Sequence, residues 1–284
     1  MNPIARPACT RDGVRLALYR LRADGDGRPA ALLVHGAFTS HRLWIRGPGG
    51  GFAAFLAERG FDVWMADLRH HGASDREPRK RVWRFEDLIM EDAPALVTRV
   101  RDEVAGPLAW IGHSIGGVVG LCWLARAAPP GALDALVTVG TPGPGRHGLG
   151  TRAAVAATAG FCRVVGRLPA RALRLGPEDE CGHVFGDWMW WNAARRWVSR
   201  DGFDYLAGLA RVRTPYLGVA GDADRLWAPR DCCGELVERA GAKRKELAVC
   251  GPRLGHAGML LSRRAPVACW PRVAGWLEET LEAR

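Results

Sequence analysis

The stretch from Leu108 to Ala125 carries no Asp, Glu, Lys or Arg. A run of that length and composition suits a membrane span or the middle of a buried core. Its centre decides between them. Gly112, His113, Ser114, Gly116 and Gly117 stand where a spanning helix would be most apolar. Glycines around a His-Ser pair favour a tight turn over a continuous helix. The run therefore reads as a buried strand over Leu108–Ile111, a sharp turn, and a buried helix over Ile115–Ala127. A strand and a helix that are both apolar all round belong inside a parallel sheet covered on both faces.

The rest of the chain keeps that rhythm. Val14–Leu21 reads as an early strand after the Asp12-Gly13 turn. Ala30–Val34 is an apolar run ending in His35-Gly36. His41–Arg59 holds a glycine-rich loop and then a helix. Asp62–Ala66 is the next strand, leading into the loop Asp67–Ser74. Phe85–Val104 reads as a helix that Pro94 kinks or restarts. Leu133–Val139 is a strand followed by the turn Thr141–Gly145. From Arg146 to Arg213 no strand pattern is found; helical patterns are interrupted at Leu168-Pro169 and Gly176-Pro177, and Trp188, Trp190, Trp191 and Trp197 crowd together. Alternation resumes with a strand at Pro215–Ala220, a helix near Asp231–Ala240, a last strand at Lys245–Cys250 and a last helix at Pro266–Leu281. The expected fold is α/β, with a mostly parallel central sheet, helices on both faces and an inserted helical cap. Residues 1–145 and 214–284 would form the core domain and 146–213 the cap.

Charge narrows the partners less than it first suggests. The formal charge is +10 and the basic residues are nearly all arginine, with Lys80, Lys243 and Lys245 the only lysines. They are spread along the chain, and no nucleic-acid-binding motif accompanies them, so a solvated arginine-rich surface is expected and no nucleic-acid partner. The eight cysteines form no CxxC pair and no Cys/His zinc spacing. Free thiols in a reduced, cytoplasmic chain are expected, with no metal. Met1–Arg11 lacks an apolar signal region. No integral membrane segment is expected.

Gly112-His-Ser-Ile-Gly116 matches G-x-S-x-G between a strand and a helix, the context that motif needs. Such a turn lifts the serine hydroxyl above the sheet and points helix amides at any negative charge forming there. A serine hydroxyl needs a base, and the base needs an orienting carboxylate. His256, in Leu254-Gly-His-Ala after the last strand, is the favoured base. His70 and His71 are a weaker choice, His35 reads as structural, and His41, His147 and His183 carry no motif. Two acids compete in Gly221-Asp-Ala-Asp224. Asp224, deeper in the loop, is favoured as the orienting acid, and Asp222 as the turn former. Oxyanion donors are expected from the Ile115 amide and from the loop His35-Gly36-Ala37-Phe38, with Ala37 ahead of Phe38. Phe38, His113, Trp188 and Trp191 are expected substrate contacts, although structural packing is an equal reading of the tryptophans.

These motifs together resemble the α/β-hydrolase superfamily over nearly the whole chain: His35-Gly36, Asp67-Leu-Arg-His-His-Gly-Ala-Ser74, Gly112-His-Ser-Ile-Gly-Gly117, Gly221-Asp-Ala-Asp224 and Gly255-His256, in order and spacing. Within it the chain is similar to the esterase, lipase and acyl-hydrolase branch. The resemblance implies the chain order Ser114, Asp224, His256 for a catalytic triad, hydrolysis of a small, apolar carboxylic ester through an acyl-serine, and no cofactor. It also implies that relatives using Asp as nucleophile, the haloalkane dehalogenases and epoxide hydrolases, are excluded by Ser114. Acyl transfer, thioester or C–C bond cleavage and cofactor-free haloperoxidation use the same scaffold, as do non-catalytic binding relatives. One departure stands out: where the family has Gly before the histidine of the Asp67 loop, this chain has His70.

Overall fold

A computed structural model of the chain describes residues 3–21, 27–77, 82–144 and 148–282. Gly145, Arg146 and His147, where the core-to-cap boundary is expected, lie outside the described residues, as does Lys80.

Eight strands form the main sheet: β1 (Ile4–Ala5), β2 (Leu18–Leu21), β3 (Ala30–Val34), β4 (Asp62–Ala66), β5 (Leu108–His113), β6 (Ala135–Val139), β7 (Tyr216–Gly221) and β8 (Lys245–Cys250). Their spatial order is β1-β2-β4-β3-β5-β6-β7-β8. β1 and β2 are antiparallel to their neighbours, and β4 through β8 run parallel. β3, β5 and β6 are buried along their whole length, because both faces are covered. Alternate side chains enter two separate cores. Leu32, Val34 and Trp110 face one, which also holds Val118 and Leu121 of the helix Ile115–Arg126. Leu33, Ala109 and Ile111 face the other, with Phe52 and Leu56 of the helix Gly51–Glu58 and Leu277 of the helix Trp270–Glu282.

Backbone bookkeeping explains where the elements depart from the expected boundaries. Val14–Leu21 is not one strand. Arg15–Leu16 pairs with Ala8–Cys9 in a small hairpin, and only Leu18–Leu21 joins the main sheet. The break falls at Ala17, whose N–H donates to Ser74 Oγ (2.8 Å) and whose carbonyl accepts from the Asp67 N–H (2.8 Å). Those bonds fasten the Asp67–Ser74 loop to the sheet. Phe85–Arg101 is helical throughout but widens to a π-turn over Leu88–Asp92, just ahead of Pro94. Proline has no N–H for the carbonyl four residues back, and that carbonyl, on Met90, accepts instead from Arg11 (3.1 Å). The last helical stretch splits into Ala265–Ala268 and Trp270–Glu282 around Pro271, for the same reason. None of the eight cysteines is in a disulfide, and all but Cys9 are buried.

Between β6 and β7 the chain leaves the sheet. Two helices, Leu149–Val165 and Gly182–Ala194, pack together, joined by a hairpin of two short strands, Arg167–Leu168 and Glu180–Cys181. This hairpin corrects the expectation of a strandless segment. Two-residue strands leave no periodicity to read. Trp188, Trp191 and Trp197 join Phe85 and Tyr205 in one aromatic cluster, with Trp188 against Phe85 at 5.5 Å and against Trp197 at 5.4 Å. Truncating a buried Trp leaves a large cavity. Trp188→Ala is expected to cost about 3–5 kcal/mol of unfolding free energy, measurable as a lower urea midpoint at unchanged m-value.

Candidate active site

The loops that follow β3, β5, β7 and β8 meet at one edge of the sheet, where ligand sites of parallel α/β proteins lie. Ser114 is the residue between β5 and the helix Ile115–Arg126, with φ 51° and ψ −121°. A non-glycine side chain there is strained, and the surroundings hold it. The Ser114 N–H donates to the Val139 carbonyl (2.9 Å), and its carbonyl accepts from the Gly117 N–H and from Thr141 Oγ1 (3.0 Å each). The turn is tight enough to require glycine on both sides. A Cβ on Gly112 would stand 2.3 Å from the Gly117 nitrogen, and one on Gly116 2.4 Å from the Val34 and His35 carbonyl oxygens. Gly36 likewise brings the loop after β3 against the Ser114 Cβ.

His256 follows β8, and its Nδ1 lies 2.7 Å from Asp224 Oδ2. With Nδ1 so engaged, Nε2 is the nitrogen left to serve a reacting group. Asp224 is buried, and its Oδ1 accepts from the Trp227 N–H (3.1 Å). Burial works to raise the Asp224 pKa; the hydrogen bond and charge of His256 and the amides of Ala228 and Trp227 outweigh it, and the carboxyl sits below its ordinary value. Asp222 behaves differently. It is exposed, and its oxygens accept from the Arg253 N–H (2.9 Å) and Leu254 N–H (2.8 Å), so that these backbone bonds hold its carboxyl below its usual range while bracing the His256 loop.

The remaining histidines separate by their partners. The His35 Nδ1 lies 2.7 Å from the Gly36 carbonyl, and its Nε2 accepts from the Leu68 N–H (3.1 Å). This neutral arrangement agrees with burial pushing its pKa down to about 4. His71 faces Glu180 rather than Ser114. His113 is buried with its ring 4.7 Å from that of His256, and burial drives its pKa well down, so a neutral ring backs His256. His70 adopts φ 71°, a left-handed conformation that glycine accepts freely. This is the physical reason for a glycine at that place in the family. Here the His70 N–H bond to the Asp75 carbonyl (2.8 Å) and the Glu77 N–H donated to His70 Nδ1 (3.3 Å) support the conformation.

The aromatic neighbours of His256 are His113 and Trp227, the latter at 6.1 Å, and Trp227 also lies 6.1 Å from Phe38. Phe38 packs on Phe185 at 5.2 Å. Trp188 and Trp191, only 4% and 7% exposed, sit in the aromatic cluster described above. Trp191 also lines a cleft of about 440 Å³ with Phe85, Trp190, Arg84 and Arg163. Trp227, Phe185 and Glu180 were not foreseen. Trp227 had a usable signal, its place three residues after Asp224; the other two reach the site only through the arrangement of the segment after β6.

Fold and motif geometry define an α/β hydrolase. A sequence model of the alpha/beta hydrolase fold matches residues 29–175, and the chain belongs to that family. It is 28% identical over 127 residues to triacylglycerol lipase 2 of Arabidopsis thaliana, covering 39% of this chain and 30% of the lipase. It is 31% identical over 127 residues to human lipase member J, covering 39% and 35%. The chain thus matches about a third of the length of these curated relatives. Among solved structures it resembles DcsB in complex with its substrate analogue, with a TM-score of 0.72, 17% identity and 99% of each chain covered. The Penicillium sp. sh18 α/β hydrolase GrgF gives 0.72 at 18% identity, over 99% of this chain and all of that one. At such identities these structures speak for the fold alone. No helix among the described residues is long and apolar enough to cross a membrane.

Proposed function

We propose that the chain is a serine hydrolase that cleaves a carboxylic ester of an apolar acyl group through an acyl-serine intermediate. The observation that carries this reading is the 2.7 Å pair of buried Asp224 with His256 beside the strained Ser114 turn. Ser114 Oγ attacks the ester carbonyl as its proton passes to His256 Nε2, and Asp224 stabilises the resulting imidazolium. The Ile115 and Ala37 amides receive the oxyanion, aided by the N-terminus of the helix Ile115–Arg126. Collapse expels the alcohol, which takes the proton from His256. Water then repeats the sequence on the acyl-serine and releases the acid.

Three aromatic rings, Phe38, Phe185 and Trp227, support an apolar acyl group, because two of them pack on Phe38 and Trp227 reaches His256. The names of the lipase relatives point the same way. The segment 146–213 serves as the cap in this reading, and the free thiols suit a cytoplasmic setting. Each methylene buried is worth about 0.8 kcal/mol, or about fourfold in kcat/KM. A series of p-nitrophenyl esters is therefore expected to show kcat/KM rising over several carbons and then levelling. A flat profile removes the apolar acyl group from the proposal, and absence of any ester turnover removes the hydrolase itself.

A further inference from the structure

Glu180 is a fully buried carboxylate, 0% exposed, on a strand of the segment between β6 and β7. Its Oε1 accepts the backbone N–H of Phe38 and lies 3.1 Å from His71 Nε2. Its Oε2 is buried without a hydrogen-bond partner among the described residues. Two residues earlier, the Glu178 N–H donates to the Phe38 carbonyl (3.0 Å). The cap segment thus grips Phe38 by both its N–H and its carbonyl. Phe38 needs the grip: its φ is 64°, a left-handed conformation that is unfavourable for a residue with a Cβ.

The proton count at His71 explains how a carboxylate is tolerated there. His71 Nδ1 lies 3.0 Å from the Arg69 carbonyl, an acceptor only, so Nδ1 carries a proton. The contact of Nε2 with Glu180 then needs a second proton, on the ring or on the carboxyl. In either form the pair is neutral overall. Burial opposes a charged His71, but Glu180, by charge and hydrogen bond, and the Arg69 carbonyl raise its pKa above the ordinary value. A neutral pair supplies a strong acceptor for the Phe38 amide without leaving a net negative charge beside the place where an oxyanion forms.

We propose that Glu180, with His71, is a positioning residue for the oxyanion loop: it locks the Phe38 peptide in its left-handed conformation and so aims the adjoining Ala37 amide at the acyl oxygen above Ser114. The proposal rests on the serine-hydrolase reading. It has two consequences. The Phe38 amide is committed to Glu180, which leaves Ala37 as the donor from this loop. The cap is tied to the catalytic loop by its backbone and by a buried carboxylate, so displacing the cap disturbs the oxyanion site even for a substrate too small to touch the cap.

The test compares Glu180→Ala with Glu180→Gln on a p-nitrophenyl acetate assay, with hydrogen–deuterium exchange over residues 36–40 read in parallel. Losing an oxyanion donor costs about 10²–10³ in kcat. Glu180→Ala is expected to lose about that much, with KM changed less than about threefold, while exchange at Phe38 rises strongly. In Glu180→Gln the amide oxygen stands in the place of Oε1 and still accepts from Phe38, while the amide N–H₂ takes the place of Oε2 and a neutral His71 keeps only its bond to the Arg69 carbonyl, so kcat stays within about tenfold of wild type and Phe38 remains protected. Glu180→Met, which refills the volume without an acceptor, replaces the alanine variant if that does not fold. Wild-type kcat in the alanine or methionine variant, or unchanged exchange at Phe38, overturns the proposal. A wild-type protein that turns over no ester overturns the hydrolase reading instead, and exchange at Phe38 then still decides whether Glu180 holds the loop.

Discussion

Ser114→Ala is expected to reduce ester turnover to background, a fall in kcat on the order of 10⁵–10⁶. The reasoning is local. The turn at Ser114 is fixed by glycines at 112 and 116 and by bonds to Val139, Gly117 and Thr141, none of which uses the serine hydroxyl. Removing Oγ therefore deletes the proposed nucleophile and leaves the turn intact. Thermal unfolding should change by less than about 0.5 kcal/mol, as for substitutions that disturb no packing. A fluorophosphonate probe should label the wild-type chain and not the variant. Persistent labelling, or a variant retaining a hundredth of the activity, would place the nucleophile elsewhere.

The second large effect separates the two acids of Gly221-Asp-Ala-Asp224. Asp224→Asn is expected to lower kcat by about 10⁴, because an amide at that place stabilises the wrong tautomer of His256 and cannot balance an imidazolium. Asp222→Asn should lose less than about tenfold and show itself mainly as a lower melting temperature, since its carboxylate accepts from Arg253 and Leu254 in the loop that carries His256. The pH dependence carries the same signature. Both carboxyls sit below their ordinary values in the folded chain, so both contribute stability that is present above the unfolded carboxylate pKa, near 3.9, and is lost as pH falls through the folded value. Acid unfolding midpoints should therefore move upward in Asp222→Asn and in Asp224→Asn, while only the latter loses turnover at neutral pH. Equal activity losses in the two variants would contradict the assignment of roles.

How much of this was legible beforehand differs residue by residue. The expectation of β5, the turn at Ser114 and the helix after it matched the structure because that whole segment is buried. Its apolar run, its glycines and its boundaries all report one local geometry. The expected last strand, Lys245–Cys250, coincides with β8. Val14–Leu21 misled because Ala17 is apolar like its neighbours, while its backbone groups are taken by Ser74 and Asp67, far away in sequence. Periodicity records which way side chains point and nothing about where a backbone N–H finds its partner.

The sequence alone determined the alternation of strands and helices, the strained serine turn and the chain order of Ser114, Asp224 and His256, because each is written in local pattern: apolar runs, glycines where a Cβ would collide, and loops at strand ends. Only the tertiary structure decided which distant groups meet. The crossing that seats β3 between β4 and β5, the ring of Trp227 reaching His256, and the carboxylate of Glu180 on the amide of Phe38 all join parts of the chain whose local patterns are independent. Contacts of that kind depend on how the segment between β6 and β7 packs back over the sheet. Packing is settled by the shape and volume of whole surfaces, which no short stretch of sequence encodes by itself.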